Sequence, residues 1–322
     1  MSYQLEISEP IDVGVRRIAN ELIDEAIAHI EAPDRDRHET VHEVRKNCKK
    51  LRGLLRLIRP QVPDLYKAEN KHFRDAAGSL SGIRDATAAL ESYDALLKAF
   101  DGIVDRQRMA PARRALTLHK QHLAADLTDL DARLEAFGEC MHEARKRVSD
   151  WHLPAEDPKQ GKRGFELFED GLEKTYQRGR KAMEIAGEDP SVETFHEWRK
   201  RAKYLRYHLR LLRPAWPRLL KRTRSEVKTL GDLLGDDHDL AVLDDVLVAA
   251  LGDDADPRRM EVLRALMHQR STTLRQQACW LGQRIYAEKS KPFRKRIGRY
   301  WDTARDQHTA ATNDSKAEQP IP

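Results

Sequence analysis

The chain has 322 residues, 40% of them hydrophobic, 6% aromatic and 34% charged, and its 58 Lys and Arg against 53 Asp and Glu leave a net charge of +5. That composition suits a soluble helical protein with solvated faces, and no stretch approaches the ~18 consecutive apolar residues of a membrane span. Three scattered cysteines, Cys48, Cys140 and Cys279, exclude a disulfide framework or a cysteine zinc site, and the opening MSYQLEISEPIDVGVRR has no apolar signal region, so a cytoplasmic protein is expected.

Strand signals are confined to a brief period-two alternation in the first residues, and helical periodicity covers most of the remaining chain. A first helix is expected over 13–30, closed by Ala32, Pro33 and Asp34, and a basic helix over 39–60 that stops at Pro60. A helix over 64–100, broken around 78–82, and another over 112–148 complete a four-helix half spanning 1–151. Residues 152–164, with two prolines and two glycines, read as a linker. The second half, 165–302, restarts with helices over 165–186, 193–214, 217–251 and 257–287. The basic aromatic run KPFRKRIGRYW at 291–301 is expected either to close one end of a groove or to finish as a solvated helix end. Residues 303–322 are polar enough to be disordered.

Residues 39–60, ETVHEVRKNCKKLRGLLRLIRP, recur at 193–214 as ETFHEWRKRAKYLRYHLRLLRP, a constant offset of 154. On a helix, His42, Arg45, Lys46, Lys49, Arg52, Arg56 and Arg59 fall on one stripe, and Val44, Cys48, Leu51, Leu54, Leu55 and Ile58 lie roughly opposite. The second copy repeats the stripe as His196, Arg199, Lys200, Lys203, Arg206, Arg210 and Arg213. Core positions drift between copies (Val44 to Trp198, Cys48 to Ala202), whereas all seven stripe residues keep their identity. Solvation alone would accept Lys for Arg, so each cation answers a geometric demand, and like charges at i, i+4 cost ~0.2–0.5 kcal/mol per pair unless an anion lies along them. From His42 to Arg59 the row runs about 26 Å at ~1.5 Å per residue. A weaker echo at the same offset pairs Arg74 with Lys228, Leu80 with Leu234, Asp85 with Asp239 and Ala89 with Leu243, so the duplication spans a helix pair.

These motifs resemble the CHAD family, the conserved-histidine α-helical domain. The resemblance rests on His42, Glu43, Val44, Arg45 and Lys46 with Lys49, Arg52 and Arg56, on the matching His196 to Lys200 with Lys203, Arg206 and Arg210, and on the turns from Leu80 to Asp85 and Leu234 to Asp239. It covers about residues 10 to 302 and departs from the family pattern at Ser81, where glycine is usual. It implies an all-α fold of two pseudo-symmetric four-helix bundles with a central basic groove, binding of inorganic polyphosphate, and association with polyphosphate granules. Relatives are sometimes fused to a triphosphate-tunnel domain with an ExExK motif, for which this chain has no room, so a standalone module is expected.

The expected polyphosphate-binding set is therefore His42, Arg45, Lys46, Lys49, Arg52, Arg56 and Arg74 with His196, Arg199, Lys200, Lys203, Arg206, Arg210 and Lys228. A polyanion charged at nearly every phosphorus needs cations repeated along a track: arginine supplies a two-pronged fork and lysine a movable point charge. The competing possibility is a solvated face neutralised by acids such as Asp126, Asp129, Asp131, Asp244 and Asp245. Asp85 and Asp239 read as braces for basic side chains. Tyr204 and Tyr207 beside the second stripe could stack on nucleobases or simply pack. His38 and His42 are spaced i, i+4, but the motif is not HExxH and the second copy has Val192, while Asp236–Asp239 resembles an HD metal pair without a supporting histidine set. No Walker-type loop is present. No metal, cofactor or enzymatic activity is expected. The alternative readings are a nucleic-acid-binding helical module and an enzyme acting on phosphate polymers.

Overall fold

A computed structural model describes residues 3–32, 35–80, 85–125, 129–155, 164–252 and 255–317. Within them lie eleven α-helices and no strand: α1 (Ile11–Glu31), α2 (Arg37–Ile58), α3 (Pro63–Ser79), α4 (Asp85–Ala99), α5 (Arg106–Ala125), α6 (Leu130–Val148), α7 (Glu166–Glu188), α8 (Val192–Leu211), α9 (Pro217–Leu251), α10 (Pro257–Ile285) and α11 (Ser290–Ala317), with a 3₁₀ turn at Arg213–Ala215. Local chemistry sets several of the starts. Asp36 accepts from the Glu39 amide at the head of α2, Ser191 and Thr194 form a reciprocal capping box at the head of α8, and Pro63, Pro217 and Pro257 occupy first-turn positions where the missing N–H costs nothing.

Apolar residues gather in two clusters. The larger takes Leu22, Leu51, Phe73, Phe137, Phe168, Trp198, Leu234 and Trp301 among others; the smaller takes Tyr93, Leu96, Met109 and Leu116 with Leu243, Leu247, Leu263 and Leu274. Each cluster draws on both halves of the sequence, so the interior divides across the chain rather than at the repeat. Contacts of α2 with α7 and α8, and of α4 with α9, join the halves. Apolar stripes dock on whichever face is nearest, and here that face often belongs to the other half.

The same division explains the helix breaks. Over 64–100 the chain leaves the larger cluster after Leu80 and enters the smaller one with α4. The single helix expected over 112–148 is two, because Met109, Ala112 and Leu116 of α5 serve the smaller cluster while Leu130, Leu134 and Phe137 of α6 serve the larger. By contrast α9 stays continuous for 35 residues and spans both, with Leu220 to Leu234 in one cluster and Leu240 to Leu251 in the other. Ser81 and Arg84, within the first of the two family turns, and most of the 152–164 linker lie outside the described residues.

Two further expectations are corrected. The run 291–301 is not a solvated helix end: Phe293 stacks on Tyr176 with ring centroids 4.1 Å apart, and Trp301 is fully buried beside Phe165 and Phe168. Past residue 302, expected to be disordered, α11 continues to Ala317. Polarity there predicts the absence of core burial but not the absence of helix, which the packed first turns of α11 propagate.

At the crossing of α2 and α8 the helices approach closely. Gly53 lies against the Tyr207 ring, where a Cβ would come 3.0 Å from Cδ2, and the fully buried His208 donates from Nε2 to the Gly53 carbonyl at 3.0 Å. Burial lowers the His208 pKa from 6.5 to about 4. Between those values the unfolded chain binds more protons than the folded one, so stability is complete above pH 6.5 and falls as pH drops toward 4. Urea midpoints are expected to decrease between about pH 7 and about pH 5, with a shallower decrease in His208→Gln. Equal slopes in the two proteins would show that His208 is not the titrating group.

Candidate functional site

The α2 and α8 stripes meet in one cavity of about 350 Å³, open to solvent, whose walls also include α4 and α9. His38, His42, Arg45 and Lys49 line it from α2, Arg199 and Lys203 from α8, and His238 and Asp239 from α9; Thr87, Ala88 and Ala89 of α4 form an uncharged wall. Among the described lining residues Asp239 is the one carboxylate.

Each arginine of the cavity is held by a local device. Arg45 Nη1 donates to the Ala77 carbonyl at 3.0 Å, one of the last-turn acceptors of α3, where a positive charge also meets the negative end of the helix dipole. Arg199 lies against α9 where Gly235 leaves room, since a Cβ there would sit 3.2 Å from Nη2, and its Nη2 is 3.9 Å from Asp239 Oδ1. The Arg199 Nε is buried without a protein acceptor. Behind this face Trp198 occupies the place where the first copy has Val44, and Gly282 of α10 makes room for its ring: a Cβ at 282 would stand 2.4 Å from Cζ2.

Lys203 and His196 titrate far from their ordinary values. Burial, then Arg199, Lys49 and Arg206, lower Lys203 from 10.5 to about 7, against a weaker opposing effect of Asp239. Burial, then His238 and the neighbouring cations, lower His196 from 6.5 to about 4, and burial followed by Arg199 lowers His238 as well. The His196 and His238 rings lie 4.0 Å apart. The charged forms therefore stand at a cost that an anion in the cavity would offset.

The structure brings only part of the expected set together. His42, Arg45, Lys49, Arg199 and Lys203 share the cavity, and the His196 ring lies against His238 of its wall. Lys46 and Lys200 are exposed and pair with Glu43 and Glu197 at 2.8 Å and 3.4 Å. Arg74 and Lys228 are exposed and pair with Asp75 and Asp232. Arg52 donates to Asn70 at 3.2 Å, and Arg206 and Arg210 lie over the Tyr207 and Tyr3 rings. Arg56 lies 4.0 Å over the Tyr204 ring, on the far side of the α2–α8 crossing. Thus Tyr204 is stacked on a cation and Tyr207 is packed inside.

Three of the suggested neutralising acids are engaged elsewhere, Asp129 with Arg133, Asp131 with Arg37 and Asp244 with Arg264, while Asp126 lies outside the described residues. Asp239 does face a stripe cation, and the Asp85 side chain lies outside what is described. The Asp236–Asp239 run splits by helical geometry. Asp237 is buried and holds Arg275 at 2.9 Å, His238 lies against the His196 ring, and Asp239 faces Arg199. Among the described residues no group of three or more His, Cys, Asp or Glu could hold a metal ion, and no helix is long and apolar enough to cross a membrane. Sequence reasoning missed His38 and His238 as lining residues; their signal is position, four residues before His42 and one before Asp239.

No curated protein matches this sequence. A family model described as the CHAD domain matches residues 17–248, a span that runs from α1 into α9 and contains both basic helices and every charged residue lining the cavity. The chain belongs to the CHAD domain family.

Proposed function

We propose that the protein binds inorganic polyphosphate, without processing it, through the two repeat-related basic helices that converge on this cavity. One observation carries the reading: a single open cavity takes cations from both copies of the duplicated segment and, among the described residues, one carboxylate. Phosphate oxygens running past Arg45, Lys49, Arg199 and Lys203 would each meet a charged donor, and such bonds contribute ~1.5–3 kcal/mol apiece. The finer architecture, two pseudo-symmetric halves facing a central groove, belongs to the same proposal, as does residence on polyphosphate granules. Nucleic acid is the weaker alternative, because the two tyrosines beside the second stripe are committed to Arg56 and to the core.

Titration with polyphosphates of graded length at two salt concentrations tests this. Affinity is expected to rise with length until the track is filled, and to fall by about 0.7 to 0.9 log units per decade of salt for each phosphate neutralised. Salt-insensitive binding, displacement by stoichiometric single-stranded RNA of equal charge, or release of phosphate would overturn it.

A proton should accompany the polyanion. With Lys203 at about 7, roughly half of the molecules lack its ammonium charge at neutral pH, and a bound anion restores it. Binding is expected to take up protons and to weaken as pH rises from about 7 to about 9, measured by calorimetry in buffers of different ionisation enthalpy. Lys203→Arg should bind with little pH dependence over that range, because arginine stays charged.

A further inference from the structure

A second group of cations lies away from this cavity and shares none of its lining residues. Arg56 of α2 and Arg59 just beyond its end, Lys174 and Arg178 of α7, and Arg201 of α8 surround a pit of about 20 Å³ beside Tyr204, and no carboxylate lines it among the described residues. Arg56 Nε is buried there without a protein acceptor. Arg201 is held by Glu197, and Arg56 and Arg59 lean on the Tyr66 ring at 5.9 and 5.2 Å, which fixes their guanidinium groups in place. Asp170, whose charge opposes the lowering of Lys174, is shared with Arg294 and Gln61.

The corresponding place in the first half is charge-balanced. Buried positions Val15, Ile18, Ala19 and Ile23 of α1 match Phe168, Gly171, Leu172 and Tyr176 of α7, and this alignment sets Glu21 against Lys174 and Glu25 against Arg178. The basic-helix register sets Asn47 against Arg201 and Lys50 against Tyr204. There Lys50 is 3.5 Å from Glu25 and donates to Asn47 at 2.9 Å, a compact neutral arrangement. In the second half both acids are replaced by bases and the asparagine by an arginine. The like-charge cost is visible in the titration of the group: Lys174 is lowered first by Arg59, and Arg178 first by burial and then by Arg59, Arg201 and Arg56.

We propose that this pit is a separate anion site that takes one phosphate group of a compact oxyanion, either a small free phosphate such as pyrophosphate or the terminal group of a longer chain. The space is close to that of one or two water-sized groups, which excludes a nucleoside or a chain interior but admits phosphate oxygens aimed at Arg56, Arg178 and Lys174. The site does not depend on the polyphosphate reading of the cavity.

Lys174→Glu with Arg178→Glu restores the charges of the first half, and Lys174→Gln with Arg178→Gln is a milder pair should the first not fold. Both are compared with wild type and with Arg45→Glu/Arg199→Glu by calorimetry, using pyrophosphate and long polyphosphate with free or chemically capped ends. The α7 variants are expected to lose about tenfold or more in affinity for pyrophosphate, or to lose the advantage of free-ended over capped chains, while the cavity variant keeps its pyrophosphate affinity, or that advantage, although it binds every long chain more weakly. Pyrophosphate dependence identifies a free small phosphate, and dependence on an uncapped end identifies the chain terminus. If folded α7 variants match wild type for all three probes, the pit is not an anion site. Loss only in the cavity variant overturns the proposal equally, and leaves the cavity reading standing.

Discussion

Arg45→Glu combined with Arg199→Glu is expected to weaken polyphosphate binding at least about a hundredfold while the helical circular-dichroism signal stays unchanged. Both guanidinium groups reach the cavity, one from each copy of the repeat. Two charge-assisted contacts at ~1.5–3 kcal/mol each give ~3–6 kcal/mol, and about 2.7 kcal/mol already corresponds to a hundredfold. Reversing the charge adds repulsion to the loss. The structural cost is smaller: Arg45 gives up its bond to the Ala77 carbonyl, a helix-end interaction of about 0.3–1 kcal/mol. Lys46→Glu with Lys200→Glu provides the contrast, because those exposed side chains pair with Glu43 and Glu197 outside the cavity and should cost less than about tenfold. If the two double variants lose affinity equally, general basicity rather than the converged arginines drives binding.

Gly171→Ala is expected to destabilise the fold by about 3 kcal/mol or more, read from the urea midpoint. A Cβ at this position would lie 1.7 Å from the Leu57 carbonyl oxygen, 2.5 Å from its carbon and 3.0 Å from its Cα. All three are backbone atoms of α2, so no side chain can swing aside, and α2 and α7 must separate. That contact joins the two halves of the sequence and Gly171 itself lines the pit beside Tyr204, so the variant should also disturb the anion site. Gly231→Ala is the control. It lies inside α9 with nothing within 4 Å of its would-be Cβ, and the gain in helix propensity should raise stability by up to about 1 kcal/mol. Equal effects at the two glycines would mean that the α2–α7 approach is not tight.

Parts of the site were legible because they are local. Identity of the stripe residues between copies marked Arg45, Lys49, Arg199 and Lys203, and the cavity brings those four together. By identity alone Lys46 and Lys200 are equivalent to them, although they lie one step round the helix, where Glu43 and Glu197 three residues earlier reach them. Arg56 falls on the stripe as well, yet the stripe is cut where Gly53 meets Tyr207 and His208, and beyond that crossing it opens toward α7. Lys174, Arg178 and Arg201 carry no repeat signal, because in the first copy their places hold Glu21, Glu25 and Asn47.

The helical class, the duplicated segment and the sorting of charged from apolar faces were determined by the sequence alone, since periodicity and repetition are properties of neighbouring residues. Which cations face one another was decided by tertiary structure, because that depends on how α2 and α8 cross and on which half supplies the opposing wall. The helix breaks beyond Leu80 and before Leu130 were decided there too, by the need of one chain to serve two separate apolar clusters. Local pattern can show that a face is buried, but not against what.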